Sequence, residues 1–271
     1  MAHRPFPQAD NKSVSGRADY QVVRLLGEGS YGTTWLARRP PRLPGASHVV
    51  VKDFRQPLDD VVFAALATEL AEVASLGVPQ LTPLLEAGVD DGVAYVAMQP
   101  ASRGSLDCPL RPLSRSEVLA AVADAALGAD ALHGAGLVHA NIKPANVLLH
   151  RAGGWLSDAA PAALPWAPRP VEFVDPSLLR GVAPSPSTDV WSLGVTMHRA
   201  LTGVSLYGEV PDVDRNAAIN HVLGTPPRLG EGLDPSEARV IGACLAPVSG
   251  ERPTTARAVA DRIQPLLRGT G

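Results

Sequence analysis

Lysine is almost missing from this chain: of 24 basic residues in 271, only Lys12, Lys52 and Lys143 are lysine. Arginine serves as the ordinary solubilising cation, so each lysine is an exception that asks for a reason. Cysteine is nearly as scarce. Cys108 and Cys244 stand in unrelated contexts, which argues against a disulfide framework or a zinc site and fits a reducing compartment. No run of about 18 or more uncharged apolar residues exists, so no membrane-spanning helix is expected. The opening stretch MAHRPFPQADNKSVSG lacks an apolar signal core. A net charge of −3 gives no electrostatic case for nucleic acid or an anionic membrane as partner. The expectation is a soluble, cytoplasmic protein.

What is present supports a folded domain. Apolar residues make up 45% of the chain, enough for a sizeable core, and the length suits one two-lobed domain or two small ones. Residues 1–18 are polar and read as a flexible tail. From Tyr20 come short Val-rich runs bounded by Gly and Pro: YQVVRLLG, TTWLAR, HVVVKDF and later VAYVAM, all with strand character. One helical pattern lies among them, DDVVFAALATELAEVASLG, opened by Asp. After Pro100 the pattern is mainly helical. It starts with SRSEVLAAVADAALGADALHGAG, and further helices are expected at about 189–203, 213–223, 234–245 and 253–267. This layout is α+β, a small strand-rich lobe before a larger helical one, divided near residues 99–104.

Gly27, Gly29 and Gly32 form a GxGxxG between two strands. Such turns are often ordinary hairpins; strands on both sides favour a flap over phosphates and disfavour a dinucleotide-binding turn, which a helix should follow. Lys52 ends VVVK twenty residues beyond Gly32, and Glu69 lies in the single helix of the small lobe. Read blandly, these are an exposed strand-edge lysine and a solvated helix face. Read together, a strand lysine held by a helix glutamate is a device for positioning phosphates. Glu72 competes as the partner, but Glu69 is preferred because it lies ten residues before Pro79.

With GEGSYG, VVVK, Glu69, VHANIKPAN, LSDAA, DPS, DVWSLG and ERPT in this order, the chain resembles the bacterial branch of the eukaryotic-type Ser/Thr protein kinases over about residues 19–268. The resemblance implies a bilobal fold with N-lobe 19–100, carrying one main helix, and C-lobe 101–268. It implies ATP and Mg²⁺ as ligands. Gly27, Gly29, Gly32, Lys52 and Glu69 would serve the nucleotide, with Met98 as gatekeeper and Ala101 and Leu148 beside the adenine. Lys143 would steady the γ-phosphate, and Asn146 and Asp158 would hold magnesium. Val50 and Thr34 depart from the usual residues around the adenine, adding bulk and a hydroxyl respectively. The composition suits a GC-rich bacterial genome.

Other departures fall on the catalytic loop and its switch. His139 matches the family histidine, but Ala140 replaces the arginine and Asn141 the catalytic aspartate. An amide can orient a hydroxyl but cannot take its proton, and losing a general base typically removes about 10² to 10⁴ in rate. Asp158 is followed by Ala159 and Ala160 where Phe and Gly are usual. From Ala159 to Pro176 there is no Ser, Thr or Tyr to phosphorylate. Prolines 161, 165, 168 and 170 stiffen that segment, which is expected to be a fixed, partly apolar surface carrying Trp166 and Phe173. Ser177 replaces the glutamate that normally pairs with the arginine corresponding to Arg252, leaving Arg252 to find another acceptor or stay hydrated. Asp189 is retained as a structural acceptor for the catalytic loop.

These readings lead to a catalytically impaired pseudokinase that binds ATP and magnesium and regulates or scaffolds a separate protein. The alternative is a low-activity Ser/Thr kinase that transfers the γ-phosphate to a protein hydroxyl. Cys108 reads as filler, His133 and His139 do not read as a metal pair, and the Arg-rich stretch 37–45 reads as a solvated connection.

Overall fold

The computed structural model describes residues 20–29, 31–55, 58–150, 153–159, 161–164, 170–211 and 214–268. The chain divides into a β-rich unit and a helical unit. In the first, β1 (Gln21–Glu28), β2 (Gly32–Arg38) and β3 (His48–Phe54) precede helix α1 (Asp60–Ser75), followed by β4 (Leu84–Asp90) and β5 (Val93–Met98). Every pairing is antiparallel and the order is β1-β2-β3-β5-β4, so β3 is the central strand. β-Branched residues suit this pleated, half-buried surface. Val49 and Val51 of β3 pack with Tyr20, Ala37, Leu43 and Ala97 in one core. Asp59 caps α1 by accepting the Val62 N–H at 2.8 Å.

β4 was not among the strands expected from composition, because Glu86, Ala87 and Gly88 are poor strand formers. Its pairing with β5 makes it a strand. Glu86 also accepts hydrogen bonds from Tyr20 and Tyr95 and pairs with Arg42. The Arg-rich connection is thus engaged internally: Arg42 meets Glu86, and Arg39 donates to the carbonyls of Ala46, Pro40 and Leu43.

The helical unit is built on α2 (Arg115–Gly134), which packs against α4, α7 and the second strand of a hairpin, β6 (Val147–His150) and β7 (Gly153–Leu156). Short α3 (Pro176–Leu179), then α4 (Pro186–Thr202), α5 (Arg215–Gly224), α6 (Pro235–Cys244) and α7 (Ala256–Arg268) complete it. A capping box starts α2: Ser114 Oγ accepts the Glu117 N–H, and the Glu117 carboxylate accepts the Ser114 N–H. The alanines of α2 let neighbours approach from several sides, so it is buried along most of its length.

The stretch Leu76–Thr82, counted with the strand-rich lobe in the sequence reading, clusters with the helical unit. Backbone bonds hold it there: Leu156 N–H donates to Gln80 O at 2.8 Å, and Thr82 N–H to Leu156 O at 3.1 Å. Among the described residues no helix is long and apolar enough to cross a membrane.

Candidate functional site

The loop from His139 to Asn146 hangs on one buried carboxylate. Asp189 of α4 is fully enclosed; its Oδ2 accepts the His139 N–H at 2.8 Å and its Oδ1 the Ala140 N–H at 2.8 Å. His133 Nε2, at the end of α2, lies 2.9 Å from the same carboxylate. His133 and His139 therefore share a structural anchor. His139 is itself buried. Its Nδ1 accepts the Asn141 N–H at 3.2 Å, so Nε2 carries the proton and donates to Ser157 O at 3.0 Å. Burial pushes its pKa below the usual histidine range, which keeps the ring neutral.

Asn141 is 8% exposed, and its amide nitrogen donates to the Asp158 carbonyl at 2.9 Å. An ionised aspartate could not make that bond. Asn146 donates its own amide N–H to Asn141 O at 2.8 Å, while its Oδ1 has no hydrogen-bond partner among the described residues. Lys143 is largely buried and begins the 3₁₀ turn Pro144–Asn146. Ala140 (φ 54°) and Asp158 (φ 61°) are two of the three non-glycine residues described at positive φ. Backbone strain of this kind is held only where the surroundings over-determine it. Leu148, half-buried on β6, is bridged to Ser105, and Ala101 begins the second segment of the helical unit.

The β-rich unit carries the other expected residues. Lys52 is 5% exposed on the central strand, opposite Thr34 and Val96, with Nζ 5.8 Å and 5.9 Å from the ring centres of Tyr31 and Phe54. This is not the exposed edge lysine of the bland reading. Gly27 sits at a register irregularity of β1, and Gly29 N–H closes the turn on Gly32 O at 2.8 Å. A Cβ on Gly27 would meet nothing within 4 Å, whereas one on Gly32 would stand 1.7 Å from Asp53 O. Met98 is buried at the end of β5, opposite Val50 and Leu84.

Glu69 departs from expectation. Its two oxygens accept the Ala162 N–H at 3.1 and 2.9 Å, and Lys52 is not among the groups acting on it among the described residues. Backbone donors satisfy this half-buried carboxylate without a cation. Burial raises its pKa above the usual range, opposed by the N–H groups of Ala162 and Ala163.

The stretch expected to be a partly apolar surface is corrected in part. Phe173 is buried in the 3₁₀ turn Val171–Phe173, and its carbonyl accepts from Ser192 Oγ at 2.8 Å. Ala160, Pro165, Trp166 and Pro168 lie outside the described residues. Arg252 is buried rather than hydrated: it donates to Asp175, two residues before the degenerate Ser177, and to the carbonyls of Ser187 and Ala246.

A family model described as protein tyrosine and serine/threonine kinase matches residues 20–261. The chain belongs to this kinase family. It is 27% identical to serine/threonine-protein kinase PknJ of Mycobacterium tuberculosis, over 93% of this chain and 46% of PknJ. It is 28% identical to PknK of the same organism, over 94% of this chain and 24% of PknK. Thus the chain spans less than half the length of these curated relatives. The crystal structure of the Mycobacterium tuberculosis PknI kinase domain superposes with a TM-score of 0.66 at 25% identity, covering 92% of this chain and 96% of that one. The bilobal kinase fold is therefore the fold of this domain, and kinase domains of this family use ATP and Mg²⁺.

Taken unit by unit, the residue chemistry suits that cofactor pair. Asn146 Oδ1 and the Asp158 carboxylate are hard oxygen donors of the kind magnesium takes alongside substrate phosphates. Lys52 and Lys143 supply two buried ammonium groups in a chain that otherwise uses arginine. Gly27, Gly29, Gly32, Lys52, Glu69 and Met98 belong to one unit; Ala101, Asn141, Lys143, Asn146, Leu148 and Asp158 belong to the other. Sequence reading missed the roles of His133, Ser157 and Asp175. Only Asp175 carried a signal, as the nearest acid to Ser177.

Proposed function

We propose that this kinase-family domain binds ATP and magnesium without acting as an efficient phosphotransferase, and works by presenting a nucleotide-dependent surface to a separate protein. The observation that carries this is the Asn141 side chain, buried, not basic, and engaged through its amide N–H to the Asp158 carbonyl. A general base must be free to accept the substrate hydroxyl's proton, and this group has no such capacity. In this reading Lys52 serves the α- and β-phosphates, Lys143 the γ-phosphate, and Asn146 and Asp158 the metal. Loss of the arginine before Asn141 and of hydroxyls between Ala159 and Pro176 removes the usual phospho-switch.

A second reading is favoured by one observation. Asp189 still holds the loop through the His139 and Ala140 N–H groups, and Asn146 is fixed by its own bond to Asn141 O. Slow transfer, with Asn141 orienting a protein hydroxyl and solvent removing its proton, fits that retained frame.

Thermal melting with millimolar ATP and Mg²⁺, paired with transfer of label from the γ-phosphate to protein, separates these readings. A ligand at a hundred times its Kd stabilises by about 2.7 kcal/mol. The expected result is a raised melting temperature, lost in Lys52→Ala and Asp158→Asn, without transferred label. Label transfer abolished by Lys52→Ala would establish the second reading instead. No thermal shift would leave a nucleotide-free scaffold.

A further inference from the structure

Apart from the candidate-site residues, the helical unit holds a cavity of about 230 Å³ lined by Pro79, Gln80, Asp124, His150, Gly153 and Trp155, among others. Asp124 is the anomaly in it. On α2 its neighbours Val122, Ala123, Ala125 and Ala126 are all buried apolar residues, yet this position carries a carboxylate. Its Oδ2 accepts the Gly154 N–H at 2.8 Å. Its Oδ1 has no hydrogen-bond partner, and no cation meets the side chain, among the described residues. Burial raises its pKa above the usual carboxylate range, and the single N–H only partly opposes this. A half-buried carboxylate with one neutral donor keeps an acceptor oxygen for a donor that enters the cavity, and a cation there would also offset the partial loss of hydration.

The rest of the cavity narrows the choice of cation. The rings of His150 and Trp155 stack with centres 4.0 Å apart and planes 14° from parallel. Their inner faces cover each other, so the pair can offer the cavity only an outer ring face and ring edges, as an aromatic wall. Gly153 keeps the acid reachable, since a Cβ there would stand 2.2 Å from Asp124 Oδ2. A planar guanidinium can stack on such a wall while donating in-plane to a carboxylate. A compact, strongly hydrated ammonium uses only the charge.

We propose that this cavity receives an arginine side chain of a partner protein, its guanidinium donating to Asp124 and lying along the Trp155–His150 stack. This gives a contact point for the partner invoked under the proposed function and rests on that reading for the occupant being a protein. The cavity lies wholly within the helical unit, and its test needs no nucleotide, so its failure would leave the nucleotide-binding reading untouched.

The test is an amide NMR titration of the whole chain with Nα-acetyl-arginine amide, its neutral citrulline analogue, Nα-acetyl-lysine amide, and a short alanine-rich peptide containing one arginine. Millimolar arginine amide is expected to shift the Gly154 amide and Trp155 indole resonances. The citrulline analogue should leave them in place, and the lysine compound should bind about tenfold more weakly. The peptide should bind at least as well as the free amide. Asp124→Asn, which still offers an oxygen to the Gly154 N–H, should abolish the response. An equal response to citrulline or lysine, silence from the wild-type protein, or an unchanged response in a normally melting Asp124→Asn protein would each overturn the proposal. Rejection of the peptide with acceptance of the free amide would mark a small-molecule pocket and also overturn it. If Asp124→Asn does not fold, the wild-type series decides alone.

Discussion

Arg252 and Asp175, 77 residues apart, form an ion pair in which both side chains are 3% exposed. The guanidinium carbon also lies 4.9 Å from the ring centre of Trp191, and further donor capacity goes to the Ser187 and Ala246 carbonyls. The usual glutamate position holds Ser177, so the buried arginine is met by a carboxylate two residues earlier, one that also caps α3 through the Ser177 N–H at 2.8 Å.

Removing that carboxylate leaves a buried charge unmatched. Asp175→Ala is expected to cost about 3–5 kcal/mol of unfolding free energy. Asp175→Asn should cost less, because it keeps an oxygen for the cap. Urea unfolding of both proteins checks this. Equal stability of Asp175→Ala and wild type would mean that the pair does not hold the helical unit.

The three glycines of the turn should separate into structural and functional members. Gly32→Ala puts a Cβ 1.7 Å from a backbone oxygen on the neighbouring strand and should destabilise by about 2–3 kcal/mol. Gly27→Ala meets open space and should stay within about 1 kcal/mol of wild type. A drop in nucleotide affinity without loss of stability would assign Gly27 to the phosphates. Equal destabilisation by both changes would contradict the packing account of Gly32.

Asn141→Asp tests the proposed role of this loop directly. The amide N–H given to the Asp158 carbonyl is replaced by a carboxylate oxygen facing an acceptor, at a cost of about 1–3 kcal/mol. A protonated carboxyl can donate again, so the penalty should shrink on acidification. Melting curves of the variant and wild type across acidic to neutral pH read this. With Ala159 unchanged, γ-phosphate transfer should remain weak even in Ala140→Arg/Asn141→Asp. Vigorous transfer by that double variant, absent from wild type, would assign the proposed impairment to the loop alone.

Mild acid should weaken the fold through its buried histidines. Burial lowers the His139 pKa, and burial, with a smaller contribution from Arg199, lowers that of His198 to about 4. The unfolded chain binds protons at these positions near pH 6.5 while the folded chain does not. Stability is therefore full above that pH and falls below it, by up to about 1.4 kcal/mol per pH unit for each histidine. Glu69 and Asp124, raised by burial, act in the opposite sense. Urea unfolding between about pH 7 and pH 5.5, on an Asp124→Asn/Glu69→Gln background, reads the histidine effect. A flat profile there would contradict the buried, neutral state of both rings.

Local signals made much of the architecture legible. The Val-rich run HVVVKDF is β3 from end to end, and Ser114 with Glu117 announces the start of α2. β4 was missed because its residues have little strand character of their own. β6 and β7, four residues each, are too short to show a period. In the site, Lys52, Lys143, Asn146 and Asp158 stood out through scarcity and spacing. The partner of Glu69 did not, because a backbone N–H leaves no trace in residue identity.

By itself the sequence determined the family, the strand-rich stretch before the helical one, and the absence of a carboxylate at position 141, since these depend on residue type and spacing along one chain. Only the tertiary structure decided which groups meet. It turned Glu69 to Ala162, joined Arg252 to Asp175, buried Phe173, and set Asp124 beside stacked rings with one N–H for company. The physical reason is that the stability of a buried charge or polar group depends on the neighbours packing brings to it. Those neighbours come from elsewhere in the chain, where no local pattern records them.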